Sequence, residues 1–133
     1  MKNTLKIKCE MLPNTAAIFL KKTAIHNLGL IQKSTEKIHE YFDLLEKRKI
    51  NQETYNKEVS ILMHEAFESI QNLANLNIAF PSLFTEDQLT ILEDLMEITK
   101  DLNLEHPDPI KYTEFENGQI GGAATIFHQQ LVS

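Results

Sequence analysis

Two histidines in this 133-residue chain stand one helical turn before a carboxylate: His39 before Asp43 and His64 before Glu68. An imidazole and a carboxylate at that spacing can share a proton or offer two ligands to a metal. Cys9 is the sole thiol. It could act as a nucleophile beside a general base in an activating field. Gly118, Gly121 and Gly122 gather in the run Gly-Gln-Ile-Gly-Gly-Ala-Ala-Thr. Glycines ahead of a helix cradle phosphate when a buried strand precedes them and Lys-Ser/Thr follows.

Glu36-Lys37-Ile38-His39 resembles the Glu-x-x-His unit of the ferritin-like di-iron bundles, at this tetrapeptide alone. That resemblance implies inward-facing ligands and a second such unit. Three residues before His64, however, stands Ile61 rather than Glu. Glu36, His39, Glu40, Asp43 and Lys47 form one polar stripe away from Ile38, Phe42 and Leu45. Ser60, His64, Glu68 and Gln71 lie opposite Leu62 and Ala66. Outward ligands meet water, so the spacing predicts solvated ion pairs, no metal and no cofactor. Cys9 falls on the apolar side of a strand pattern, which predicts a structural thiol. The glycine run has neither a good preceding strand nor a Lys-Ser/Thr, so it predicts tail packing or flexibility. No nucleophile-elbow motif is present, and no catalytic residue is assigned.

Charge is the stronger signal. Residues 1–50 hold ten Lys/Arg and five Asp/Glu, a net of +5; residues 51–133 hold three Lys and fourteen Asp/Glu, a net of −11. Within the acidic part, Glu86, Glu93, Glu97 and Asp101 recur on one helical face, with Thr90 completing it. Like charges one turn apart cost an isolated helix about 0.2–0.5 kcal/mol per pair. The stripe is read either as a face solvated or paired with Lys21, Lys33 or Lys37 of the first helix, or as a docking surface for a basic protein. Phe80, Leu83 and Phe84, in an apolar loop from Ile78 to Phe84, are the next candidate anchors.

The elements that would carry these residues follow from periodicity. Leu5, Ile7, Cys9 and Met11 alternate with Lys6, Lys8 and Glu10 in a half-buried strand pattern. A lone strand needs a partner. The candidates are a second copy, giving a homodimer, or residues 110–115; with neither, the segment stays unpaired in the free protein. Asn14 reads as a cap, and Ala17, Leu20, Ala24, Leu28, Ile31, Ile38, Phe42 and Leu45 then keep helical spacing to about Arg48, with Gly29 marking a kink or a close helix contact. Asn51 caps a second helix to about Asn77 whose stripe is Tyr55, Val59, Leu62, Ala66, Ile70, Leu73 and Leu76 or Asn77. The short link between them predicts an antiparallel hairpin. Thr85 and Gln88 make a capping box for a third helix, flanked by Phe84 and Leu89 as a hydrophobic staple. His106-Pro107-Asp108-Pro109 ends it. Asn117-Gly118 reads as a turn before a short fourth helix through Ile120, Ala124, Phe127 and Leu131.

The sum is one all-α domain: an antiparallel helical bundle of three main helices and a short C-terminal one. Residues 1–12 form an extended segment, 13–104 the bundle core and 105–133 the tail. At 42% hydrophobic residues the chain supplies a real core. No apolar run approaches the ~20 residues of a membrane span. Glu10, Pro13 and Asn14 interrupt any signal-peptide core, which suits a cytoplasmic protein, with export by a route that reads no such signal left open. Lys outnumbers Arg twelve to one, a bias typical of AT-rich, often bacterial, genomes. An acidic chain poor in Arg is unsuited to nucleic acid. The sequence therefore predicts a non-enzymatic protein-binding regulator: an inhibitor of a toxin or effector enzyme, an immunity protein or a secretion chaperone. The rival class is a metal- or small-molecule-binding enzyme built on the bundle.

Overall fold

The computed structural model describes residues 14–100, 102–103 and 106–132. The expected strand with Leu5, Ile7, Cys9 and Met11 lies outside the described residues, as does Asp101. Four helices are described: α1 (Asn14–Glu46), α2 (Gln52–Ala79), α3 (Glu86–Lys100) and α4 (Glu114–Val132). They pack as a ring in which α1 touches α2 and α4, and α3 touches the same two. The pairs α1/α3 and α2/α4 are diagonal. No described helix is long and apolar enough to cross a membrane.

Each helix starts and stops for a local reason. At the end of α1, Arg48 takes a left-handed backbone (φ 59°), its N–H donates to Leu45 O, and Lys49 N–H donates to Leu44 O. These are the two bonds of a Schellman stop. The Asn51 side chain then accepts from Thr54 N–H at 2.7 Å and opens α2. Reversal within so short a link makes α1 and α2 an antiparallel hairpin. The capping box of α3 forms in both directions: Thr85 N–H donates to Gln88 Oε1 at 3.0 Å, and Gln88 N–H donates to Thr85 Oγ1 at 3.3 Å.

The C-terminal region departs from the sequence expectation. Ile110 and Lys111 lie in a turn and Glu114–Val132 is helical, so residues 110–115 form no strand. Asn117-Gly118 is helix interior, not a turn. Thr113 Oγ1 accepts from Glu116 N–H at 3.1 Å and starts α4 several residues before Ile120. The glycines serve packing at one point. A Cβ on Gly121 would lie 2.9 Å from Thr35 Oγ1, whereas Gly29, Gly118 and Gly122 face open space. The close helix contact expected at Gly29 is thus at Gly121, where α4 crosses α1.

The core runs through all four helices: Leu28, Ile31 and Ile38 from α1, Val59, Met63, Phe67 and Ile70 from α2, Leu92 and Leu95 from α3, Ile120 and Phe127 from α4. In α2 the fully buried positions include Met63 and Phe67, while the expected Leu62 is half-buried. Tyr55 packs against Phe42 with ring centroids 5.5 Å apart, and its buried hydroxyl has no hydrogen-bond partner among the described residues. Burial, with help from the charge of Glu114, pushes the Tyr55 phenol up to about 12. Tyr55→Phe should therefore hold stability constant or raise it by about 1 kcal/mol, since no bond is lost and an unpaired polar atom is removed. Between the ordinary value of 10.0 and about 12 the folded phenol keeps a proton that the unfolded one sheds. Wild-type stability then falls as pH rises through that window, and less so in the variant. Denaturant melts at neutral and alkaline pH check both statements.

Candidate functional site

α3 is positioned by burying Gln88, Leu92, Leu95 and Thr99. Thr99 turns its hydroxyl back onto Leu95 O at 3.1 Å, which lets a polar residue sit inside. The opposite side of α3 then faces water. Glu86, Thr90, Glu93 and Glu97 are all exposed there. Glu93 and Glu97 also line a groove of about 650 Å³ between α3 and the last turns of α2. Its lining is Ala74, Asn77 and Ile78 of α2 with Leu92, Met96, Thr99 and Lys100 of α3, of which Leu92 and Thr99 are buried. Ile78 is 75% exposed, a large apolar side chain left open to solvent on the groove's edge.

The groove gathers two of the expected site residues, Glu93 and Glu97. Glu86 lies on the same exposed face but outside the lining. The rival pairing with Lys21, Lys33 or Lys37 is not formed: the described ion pairs are elsewhere, and α1 is diagonal to α3. The apolar loop is a correction. Ile78 and Ala79 belong to α2, and the non-helical stretch is 80–85. Phe84 is buried, its ring edge-on to Phe127 at 5.2 Å, and so packs within the core. Phe80 and Leu83 are half-buried, joined by a turn in which Leu83 N–H donates to Phe80 O. The sequence reading missed Ile78, Leu92 and Met96 as groove residues. The signal for Ile78 was there, because Ala74, Asn77 and Ile78 continue the helical spacing of α2.

One histidine keeps the partner the spacing suggested, His64 with Glu68, and the other does not. His39 Nδ1 lies 2.6 Å from Glu114 Oε1 of α4, and Asp43 pairs instead with Lys47 at 2.9 Å. That hydrogen bond from Lys47 holds the Asp43 carboxyl below its usual range. His64 stands 3.9 Å from Glu68. The His39–Glu114 pair borders a polar groove of about 540 Å³ between α1 and α4. Its hydroxyls are engaged within their own helices: Thr35 donates to Ile31 O and Thr125 to Gly121 O. Among the described residues of that lining, the imidazole–carboxylate pair is able to exchange a proton with water. No group of three or more His, Cys, Asp or Glu gathers among the described residues as a metal cage would need. Comparison with protein-family models, with curated proteins and with solved structures finds no match to this chain.

Proposed function

We propose that the protein is a non-enzymatic binding module that takes a basic, apolar-faced segment of another protein in the α2–α3 groove and regulates that protein by holding it. Inhibition of a toxin or effector enzyme, immunity and secretion chaperoning are all forms of this task. The observation that carries the reading is the pair Glu93 and Glu97, one turn apart and without an ion pair among the described residues, beside an apolar lining whose edge is the exposed Ile78. Apolar contact with the lining supplies affinity, and the two carboxylates select and steer a cationic ligand. The His39–Glu114 pair, the strongest candidate for an enzyme, is open to solvent, and the hydroxyls among the described residues lining its groove are hydrogen-bonded within their own helices; the binding reading is favoured on the groove's own lining.

A labelled amphipathic peptide with Leu and Lys on one helical face is the test ligand. Its association rate should fall as salt rises, with dissociation affected less, because steering is screened over about 8 Å at physiological ionic strength. Glu93→Lys with Glu97→Lys should weaken binding by roughly tenfold or more while melting stays native, since both side chains face water. Affinity within twofold of wild type at low salt would remove this groove as the site.

A further inference from the structure

We propose that the N-terminal turns of α1 insert into the α2–α3 groove of a second copy of this chain, closing a two-fold dimer. The inference rests on the reading of that groove as a site for basic, apolar-faced segments, and names this chain's own helix tip as one occupant.

Two bonds fix the levels of the helices. Asn72 Nδ2 donates to Asn27 Oδ1 at 3.1 Å, and Gln32 Nε2 donates to Thr125 Oγ1 at 3.2 Å. Phe42 beside Tyr55, and His39 beside Glu114, show that α2 and α4 both run antiparallel to α1. α2 ends at Ala79, seven residues beyond Asn72, hence level with Leu20. α4 ends at Val132, seven beyond Thr125, hence level with Ile25. The turns from Asn14 to Phe19 therefore overhang both neighbours, by about 9 Å past α2 at 1.5 Å per residue. The overhang presents Ile18 and Phe19, 53% and 68% exposed. Lys21 and Lys22 follow Ile18 by three and four residues, so they share its face, and both are exposed.

The tip offers two apolar knobs and two cations. The groove offers apolar lining, the two anions Glu93 and Glu97, and one cation, Lys100, at the end of α3, a net of one negative charge against the two cations of the tip. The tip cannot enter its own groove, because α1 is a continuous helix diagonal to α3. Another copy's tip can. Tip and groove also lie at one end of the bundle, for Ile78 is one residue short of the end of α2 and level with Lys21. A two-fold axis beside that end brings each tip to the other's groove at once, so association stops at two.

Sedimentation equilibrium of the full chain tests this. The mass should approach twice 15.3 kDa at high concentration and fall toward the monomer on dilution or with added salt. Phe19→Asp should give a monomer with native melting. Glu93→Lys with Glu97→Lys should weaken dimerisation by roughly tenfold or more. Adding Lys21→Glu with Lys22→Glu to that variant should restore it, a rescue that a merely structural role would not give. A wild-type chain monomeric at every concentration overturns the proposal, as does a dimer that survives Phe19→Asp or a mass that grows without limit. The peptide separates the two readings. The monomeric Phe19→Asp variant should bind it more tightly than wild type, its groove being free. Failure of the peptide to bind that variant would defeat the partner reading alone, with the mass data still deciding the dimer.

Discussion

Asn117→Ala should destabilise the bundle by about 2–4 kcal/mol, because one buried amide ties three segments together. Its Nδ2 donates to Thr35 O of α1 at 2.8 Å, and its Oδ1 accepts from the Tyr112 hydroxyl at 2.9 Å. Asn117, Thr35 and Tyr112 are all buried. Tyr112 in turn packs on Phe42 and Phe67, at centroid distances of 6.4 and 6.3 Å. The alanine variant leaves a phenol hydroxyl orphaned inside, at a cost of about 1–3 kcal/mol, and opens a small void beside it. Tyr112 cannot escape by ionising, since burial pushes its phenol far above the ordinary range. Asn117→Asp should be at least as damaging at neutral pH: it keeps the acceptor but loses the donor to Thr35 O and buries a charge. Denaturant unfolding at neutral pH measures both. A loss under about 0.5 kcal/mol in the alanine variant would mean that water replaces the amide and that α4 is held by its apolar face alone.

That node also explains what was and was not legible in the sequence. α1, α2 and α3 announce themselves through local rules: the spacing from Ala24 to Ile38, Asn51 as a cap, and Thr85 with Gln88. α4 does not. Its glycines lower helix propensity, and Asn117-Gly118 has the composition of a turn. What overrides that composition is tertiary, an amide reaching α1 and a glycine fitted against Thr35. One local signal was available, because Thr113-Glu114-Phe115-Glu116 carries the Ser/Thr-x-x-Glu pattern of a helix start, and Thr113 does accept from Glu116 N–H. The candidate site divides the same way. The carboxylates of α3 are periodic within one helix and can be read from spacing. The apolar lining beside them is shared between α2 and α3, and no periodicity within either helix says which neighbour it faces. Phe84 shows the reverse error. An apolar residue in a loop looks free in sequence, yet here it folds in against Phe127.

The four glycines offer the sharpest contrast the fold allows. Glycine inside a helix costs about 0.5–1 kcal/mol relative to alanine, so an open position should gain that much on replacement. Gly118→Ala and Gly122→Ala are such positions, with nothing near the new Cβ. Gly121 is not. There the Cβ would meet Thr35 Oγ1 at 2.9 Å and Thr35 Cβ at 3.3 Å. Thr35 has no room to yield. It is buried and β-branched, and its hydroxyl is held by Ile31 O at 2.9 Å and Gln32 O at 3.0 Å. The added group must push α4 off α1, which also stretches the Asn117 bond to Thr35 O one turn away. Gly121→Ala should therefore lose about 1 kcal/mol net of its propensity gain, and Gly121→Val about 3 kcal/mol or more. If the clash with Thr35 is the cause, Thr35→Ala should recover much of the loss in the Gly121→Val background while being unfavourable or neutral alone. That coupling is what a double-mutant cycle reads. Equal stabilisation by Gly121→Ala and Gly122→Ala would show that α4 does not approach α1 at this point, and the α1–α4 contact would need redrawing.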